Sequence, residues 1–255
     1  ETGHAALFTT SPTLVLYDPE VVGETGSLAL VWSLQVISSN AAFFDEEVLL
    51  DAHSGKVLFH YSNIHDALSR QVFNANDTST VPGSAARSEG EAATGDVQVD
   101  EAYDFLGDTY DFYMTEHGRD SIDGNGMVLT ATVRWCEPGY PCPLENAFWY
   151  SNQMWFGNGF QIDDIASHEM THGVTENESN LVYANQSGAI NESFSDMWGE
   201  WVDQTNGAGQ DNPADKWNMG EELGAIRYMK DPTVFSDPDR MGSPYFYTGS
   251  GDNGG

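Results

Sequence analysis

From residue 28 the chain alternates apolar and polar positions in two β-rich runs, Leu28-Ala-Leu-Val-Trp-Ser-Leu-Gln-Val-Ile and Val48-Leu-Leu-Asp-Ala-His-Ser-Gly-Lys-Val-Leu-Phe. That alternation predicts strands, and His53-Ser-Gly places a turn inside the second run, so a small antiparallel sheet is expected. Residues 74–95 then turn to Asn, Asp, Thr, Ser, Gly and Ala with few bulky apolar side chains, which predicts an exposed connector and a domain boundary near residue 70. In Val97–His117 the period changes. Val99, Ala102, Tyr103, Leu106, Tyr110 and Tyr113 recur at three and four residues, the mark of an amphipathic helix. Strand-like pieces follow at 127–135 and 147–156, and helical patterns take over from Asp164 onward. Strands first, then helices, make the fold class α+β, in two domains, 1–69 and 70–255.

Composition narrows the possible partners. The 255 residues include 40 acidic and 9 basic side chains, a formal charge of −31, which repels nucleic acid and anionic membrane surfaces. The same charge keeps a protein soluble, and Asp-rich loops also coordinate calcium, so both readings stand. No apolar run reaches the roughly 18 to 20 residues needed to cross a bilayer. The two cysteines, Cys136 and Cys142, bracket Glu-Pro-Gly-Tyr-Pro, a turn-forming sequence that brings its ends together and favours a disulfide. Zinc binding by this pair is the weaker reading, because no further ligand lies nearby in the sequence. A disulfide implies an oxidising, extracellular setting, hence a secreted protein whose signal segment has been removed.

The chemistry concentrates in Asp164-Ile-Ala-Ser-His-Glu-Met-Thr-His-Gly-Val-Thr-Glu-Asn. On a helix, His168 and His172 project from one face a turn apart, within reach of a single zinc ion, and Glu169 can approach a water there without being a ligand. A catalytic zinc takes three protein ligands. Gly188-Ala-Ile-Asn-Glu-Ser-Phe-Ser-Asp supplies Glu192 as the third, with Asp196 one turn later to accept the spare N–H of a liganding histidine. Alone, Glu192 and Asp196 read as a solvated helix face; beside the two histidines they complete one metal site.

These segments, with Leu181-Val-Tyr-Ala-Asn, Asn146-Ala-Phe-Trp, Ile226-Arg-Tyr-Met and Tyr247-Thr-Gly-Ser-Gly-Asp-Asn-Gly-Gly, resemble the thermolysin family of zinc endopeptidases. The resemblance runs from about residue 70 to the last residue, and what precedes it looks like the C-terminal part of the family's inhibitory pro-segment. It implies a pro-segment sheet followed by a zincin domain of twisted sheet and active-site helices, with the C-terminal helical lobe incomplete. His168, His172 and Glu192 are then the zinc ligands, Glu169 the general base, and Tyr183 a donor to the developing oxyanion. Asp196 orients His168 and Asn191 orients His172. Asn146 and Ala147 match the edge strand that binds substrate backbone, and Arg227 the arginine that grips a substrate carbonyl. Ile165, Met219, Leu223 and Ile226 would line an apolar pocket, implying cleavage before bulky hydrophobic residues. Asp164, Asp203, Asp215 and Glu221 resemble the family's calcium ligands. In the family a histidine follows Asp-Asn-Gly-Gly after one residue, oriented by the counterpart of Asp252; this sequence stops at Gly255.

The expectation is therefore a secreted zymogen of a zinc endopeptidase, acting on peptide or protein substrates and held latent by its own pro-segment. Cleavage near residues 62–70 would release it. The chain as it stands, truncated before that histidine, is expected to be weakly active or inactive. The competing expectation is a catalytically dead, metal-stabilised binding or adhesion module of the same fold. A zinc aminopeptidase fits less well, since neither its ligand spacing nor a motif for the substrate amine is present.

Overall fold

The computed structural model describes residues 7–22, 25–38, 45–62, 68–209 and 212–247. The chain divides into two compact units, Glu1–Asp66 and Ala67–Gly255. In the first, β1 (Leu7–Thr9), β2 (Thr13–Tyr17), β3 (Ala29–Ser38), β4 (Asp45–Asp51) and β5 (Val57–Ser62) form one antiparallel sheet. The long β3 pairs with β4 along one edge and with β1 and β2 along the other. The turn expected at His53-Ser-Gly joins β4 to β5: Asp51 accepts the backbone N–H groups of His53 and Ser54, and Gly55 takes φ +70°, where a side chain would be strained.

The second unit holds a five-stranded sheet in the order β7-β6-β8-β10-β9, built from β6 (Arg70–Thr78), β7 (Ser84–Ser88), β8 (Leu129–Trp135), β9 (Ala147–Tyr150) and β10 (Gln153–Phe156). β6, β8 and β10 run parallel, and β7 and β9 are antiparallel edges. Two expectations are corrected. Residues 74–95 are not simply an exposed connector, because they contribute part of β6 and all of β7; Val72 and Ala75 are buried, and β6 is held by its ladder to β8 rather than by many bulky side chains. The 147–156 stretch is a hairpin, since Ser151 and Asn152 both adopt positive φ, the backbone of a tight two-residue turn.

Helix α1 (Val97–His117) starts where Asp96 accepts the backbone N–H of Gln98 and ends at Gly118 with φ +62°, an N-cap and a left-handed stop that the sequence places in order. Its periodic residues Val99, Ala102, Leu106 and Tyr110 pack into the main core with Leu129 and Val133 of β8. Helix α2 (Asp163–Asn177) buries Ile165, Ala166 and Met170 in the same core. Hydroxyl pairs tie α1 to α2: Thr109 to Ser167 at 2.7 Å and Tyr113 to Thr171 at 2.8 Å. Helix α3 (Asn185–Asn206) crosses α2 at Gly199, where a Cβ would stand 2.7 Å from the Asp164 carbonyl oxygen. Only a glycine allows that approach.

After α3 the expected helices do not continue among the described residues. The segment carries β11 (Asn218–Met219), β12 (Arg227–Tyr228) and short 3-10 turns. Prolines at 213, 232, 238 and 244 and positive φ at Trp217, Gly220, Gly224 and Ala225 break helical continuity. Cys136 and Cys142, between β8 and β9, are joined to each other with Cα atoms 5.4 Å apart.

Candidate metal centre

Helices α2 and α3 bring the predicted ligands together. The Nε2 atoms of His168 and His172 lie 2.9 Å apart. Glu192 places Oε2 3.3 Å from His168 Nε2 and Oε1 3.7 Å from His172 Nε2. Donors about 2.0–2.1 Å from a tetrahedral zinc ion stand roughly 3.3 Å from one another, and the three separations straddle that figure. The other nitrogen of each ring is spoken for: His168 Nδ1 lies 2.8 Å from Asp196 Oδ1, and His172 Nδ1 lies 2.8 Å from Asn191 Oδ1. Asn191 holds the proton on Nδ1 of His172, and the negative charge of Asp196 beside Nδ1 of His168 favours it there too, so that each Nε2 faces the common point. Held 2.9 Å apart, the two Nε2 atoms need a proton or a cation between them, and with Glu192 beside them the donor set fits zinc.

The surrounding charges reinforce this. Burial favours the neutral imidazole at His168, yet the carboxylates of Asp196 and Glu192 override it and raise its pKa. At His172, burial and the neighbouring His168 lower it. Burial favours a protonated Asp196, but His168 and Arg227 hold it down to about 2. Arg227 clasps Asp196 with two hydrogen bonds of 2.7 and 2.6 Å, a planar bidentate pair. Glu169, beside His168, is buried; burial first of all pushes its pKa up to about 7, against the attraction of His168. A carboxylate poised near neutrality is suited to exchanging a proton with water.

A cavity of about 930 Å³ opens onto these residues, walled by β9, α2, α3 and the segment after β11. Asn146 and Ala147 line it at the sheet edge; Ile165, Ile226 and Arg227 line it from other sides. Met219, expected in the pocket, is buried in the core instead, and Leu223 is not among the lining residues. Tyr183 lines it as well, half exposed, and its hydroxyl donates to Glu192.

The expected calcium carboxylates divide. Asp203 and Glu221 gather with Asp163, one ligand oxygen of each within 4.8 Å of the others. Asp164, expected in this group, turns its carboxylate to the backbone N–H groups of Ile165 and Gly220, and Asp215 bonds with Asn212. Neighbouring residues on a helix point about 100° apart, so only the packing of α3 and the following loop selects Asp163 over Asp164. Both carboxylate oxygens of Glu221 are buried without a hydrogen-bond donor. Asp252 lies outside the described residues, as does most of the expected cleavage segment. Sequence reading also passed over Trp149 and Glu176, which meet across the cavity wall at 2.7 Å; Glu176, four residues after His172, is the one signal that pointed there.

Known proteins resemble this chain along most of its length. The thermolysin metallopeptidase catalytic domain matches residues 37–176, beginning inside the first unit, and the thermolysin metallopeptidase alpha-helical domain matches residues 179–255. The zinc metalloproteinase of Renibacterium salmoninarum is 37% identical over 92% of this chain and 48% of its own length. The extracellular metalloprotease of Pectobacterium carotovorum subsp. carotovorum is 40% identical over 68% of this chain and 53% of its own length. A precursor of protealysin, a metalloproteinase from Serratia proteamaculans, superimposes with a TM-score of 0.52 at 41% identity, covering 56% of this chain and 45% of that one. The chain thus spans about half the length of these relatives.

Proposed function

This chain belongs to the thermolysin metallopeptidase family, and from that premise we propose that it is part of a secreted zinc endopeptidase in zymogen form. Residues 1–69 are read as the end of an inhibitory pro-segment and 70–255 as catalytic domain. A relative that is a protease precursor and another named as extracellular support this reading.

The carrying observation is the convergence of His168 Nε2, His172 Nε2 and Glu192, with the far nitrogen of each ring tied to Asp196 or Asn191. Zinc bound by these three supplies a Lewis acid that acidifies water and polarises a peptide carbonyl. Glu169 takes the proton from the attacking water and returns it to the leaving nitrogen. Tyr183 donates to the carbonyl oxygen as its charge grows. The free edge of β9, with Asn146 and Ala147, pairs with the substrate backbone as an added strand. Arg227 steadies a substrate carbonyl with the nitrogen that Asp196 does not occupy. Ile165 and Ile226 favour a bulky apolar residue after the cleaved bond. Calcium suits Asp163, Asp203 and Glu221, hard oxygen donors whose mutual repulsion a cation offsets.

The test is hydrolysis of an internally quenched peptide by the processed, full-length, zinc-loaded protein. Activity abolished by Glu169→Gln with zinc retained supports the enzyme; an inert wild type with zinc in place supports a binding module instead.

A further inference from the structure

Resting on that reading, a second role emerges for a residue outside the zinc ligands. Among the described residues strand β9 is the edge of its sheet, and it is only four residues long, yet Trp149 within it meets the metal helix three times. Its indole lies against Gly173, directly after His172, so closely that a Cβ there would stand 2.8 Å from the ring carbon Cζ2. Its Nε1–H donates to Glu176 Oε2 at 2.7 Å. Its backbone N–H reaches the carboxylate of Glu169. Residues alternate sides along a strand: Ala147 and Trp149 pack on the main core, whereas Phe148 packs on the separate cluster around Trp135 and Trp155. Glu176 follows His172 by one helical turn, so it shares the face that carries the metal-binding imidazole.

One side chain thus touches the sheet edge that would receive substrate, and its backbone touches the acid that would accept a proton. Glu176 is exposed and is the hydrogen-bond acceptor that fixes the indole's rotation about its side-chain bonds. We propose that Glu176 is a positioning residue: by holding the Trp149 indole it latches the edge strand to α2 and fixes where Glu169 meets the substrate. Gly173 is the second half of the latch, because any side chain there would push the indole, and β9 with it, away from the helix. A displacement of about 1 Å at such a site costs up to about a hundredfold in rate.

The test compares Glu176→Ala, Glu176→Gln, Trp149→Phe and the Glu176→Ala/Trp149→Phe pair in the zinc-loaded, processed protein on a quenched peptide. Hydrogen exchange of the β9 amides is followed alongside in the zinc-free protein. Glu176→Ala should lower kcat on the order of ten- to a hundredfold, more than it raises KM, and speed β9 exchange. Glu176→Gln, whose amide oxygen still accepts the indole N–H, should stay within about threefold of wild type. The paired variant should be no slower than the slower single one, since both break one contact. Wild-type kcat in Glu176→Ala, a Gln variant as slow as the Ala variant, or effects that simply multiply would each overturn the latch. An inactive wild type would count against the protease reading instead, and β9 exchange unchanged in Glu176→Ala would still overturn the latch.

Discussion

Two acidic clusters share helix α2, and they are treated in opposite ways. At the histidine centre the chain supplies its own cations and donors: Asp196 faces His168 and Arg227 and is held down to about 2, while Asn191 fixes His172. At Asp163, Asp203 and Glu221 the burial is similar, but Glu221 has no hydrogen-bond donor on either oxygen. Its pKa is pushed up to about 7, by burial first and then by Asp163, Glu200 and Glu222. The positive end of α2 offsets part of the charge on Asp163. Asp196, which orients a ligand, comes with cationic partners; Glu221, which would itself be a ligand, has no donor on either oxygen, and only a proton or a cation relieves it.

The largest test of this contrast is Glu169→Gln, which keeps the shape of the histidine centre and removes the proton acceptor proposed for it. Peptide hydrolysis is expected to fall about 10²- to 10⁴-fold with zinc content unchanged; loss of zinc as well would mean that Glu169 is a ligand. Next comes Asp196→Ala, which leaves Arg227 and His168 without their shared carboxylate. Zinc affinity, measured against a competing chelator, should drop about 10- to 100-fold, and thermal unfolding should report a loss of about 3–5 kcal/mol, the cost of breaking a buried pair.

The cluster of Asp163, Asp203 and Glu221 makes a smaller, pH-dependent prediction. The folded pKa of Glu221, about 7, lies above the ordinary glutamate value of 4.5, so between these values the folded state holds more of the proton than the unfolded chain does. Stability from this group is therefore full below pH 4.5 and declines as pH rises toward 7. In chelator-treated protein, urea unfolding should show a decline of about 1–2 kcal/mol after solvent screening. Glu221→Gln should flatten it, and added calcium should restore stability at the high-pH end. A decline unchanged by either would dissociate Glu221 from the cluster's energetics.

The smallest effect belongs to a pair with no metal near it. Arg70 lies over the ring of Tyr103 and bonds Glu89 at 2.7 and 2.8 Å. Its guanidinium holds the Glu89 pKa down to about 2 against burial. Stability from Glu89 is thus present above pH 4.5 and lost as pH falls toward 2. Glu89→Gln should cost about 1 kcal/mol or less at pH 7 and nothing in strong acid; a larger loss at pH 7 would mean the pair holds more than itself.

Helix α1 was legible because the spacing of its periodic residues is a local signal. The meeting of His168 and His172 was legible for the same reason: two histidines four apart on a helix share one face whatever surrounds them. β6 and β7 were illegible because β6 is held by pairing with β8, more than forty residues later in the chain, and β7 only by pairing with β6 in turn, not by their own side chains. Arg227 could be named, but its grip on Asp196 depends on where the irregular segment after α3 returns to the centre.

By itself, then, the sequence determined helix phase, turn positions and the residue types able to hold a metal, since each depends on neighbours within a few residues. Tertiary structure decided that Asp163 rather than Asp164 joins Asp203 and Glu221, that a run of small polar residues becomes sheet, and that Trp149 settles between Gly173 and Glu176. Those outcomes rest on contacts between distant segments, whose energies exist only once the chain has closed on itself.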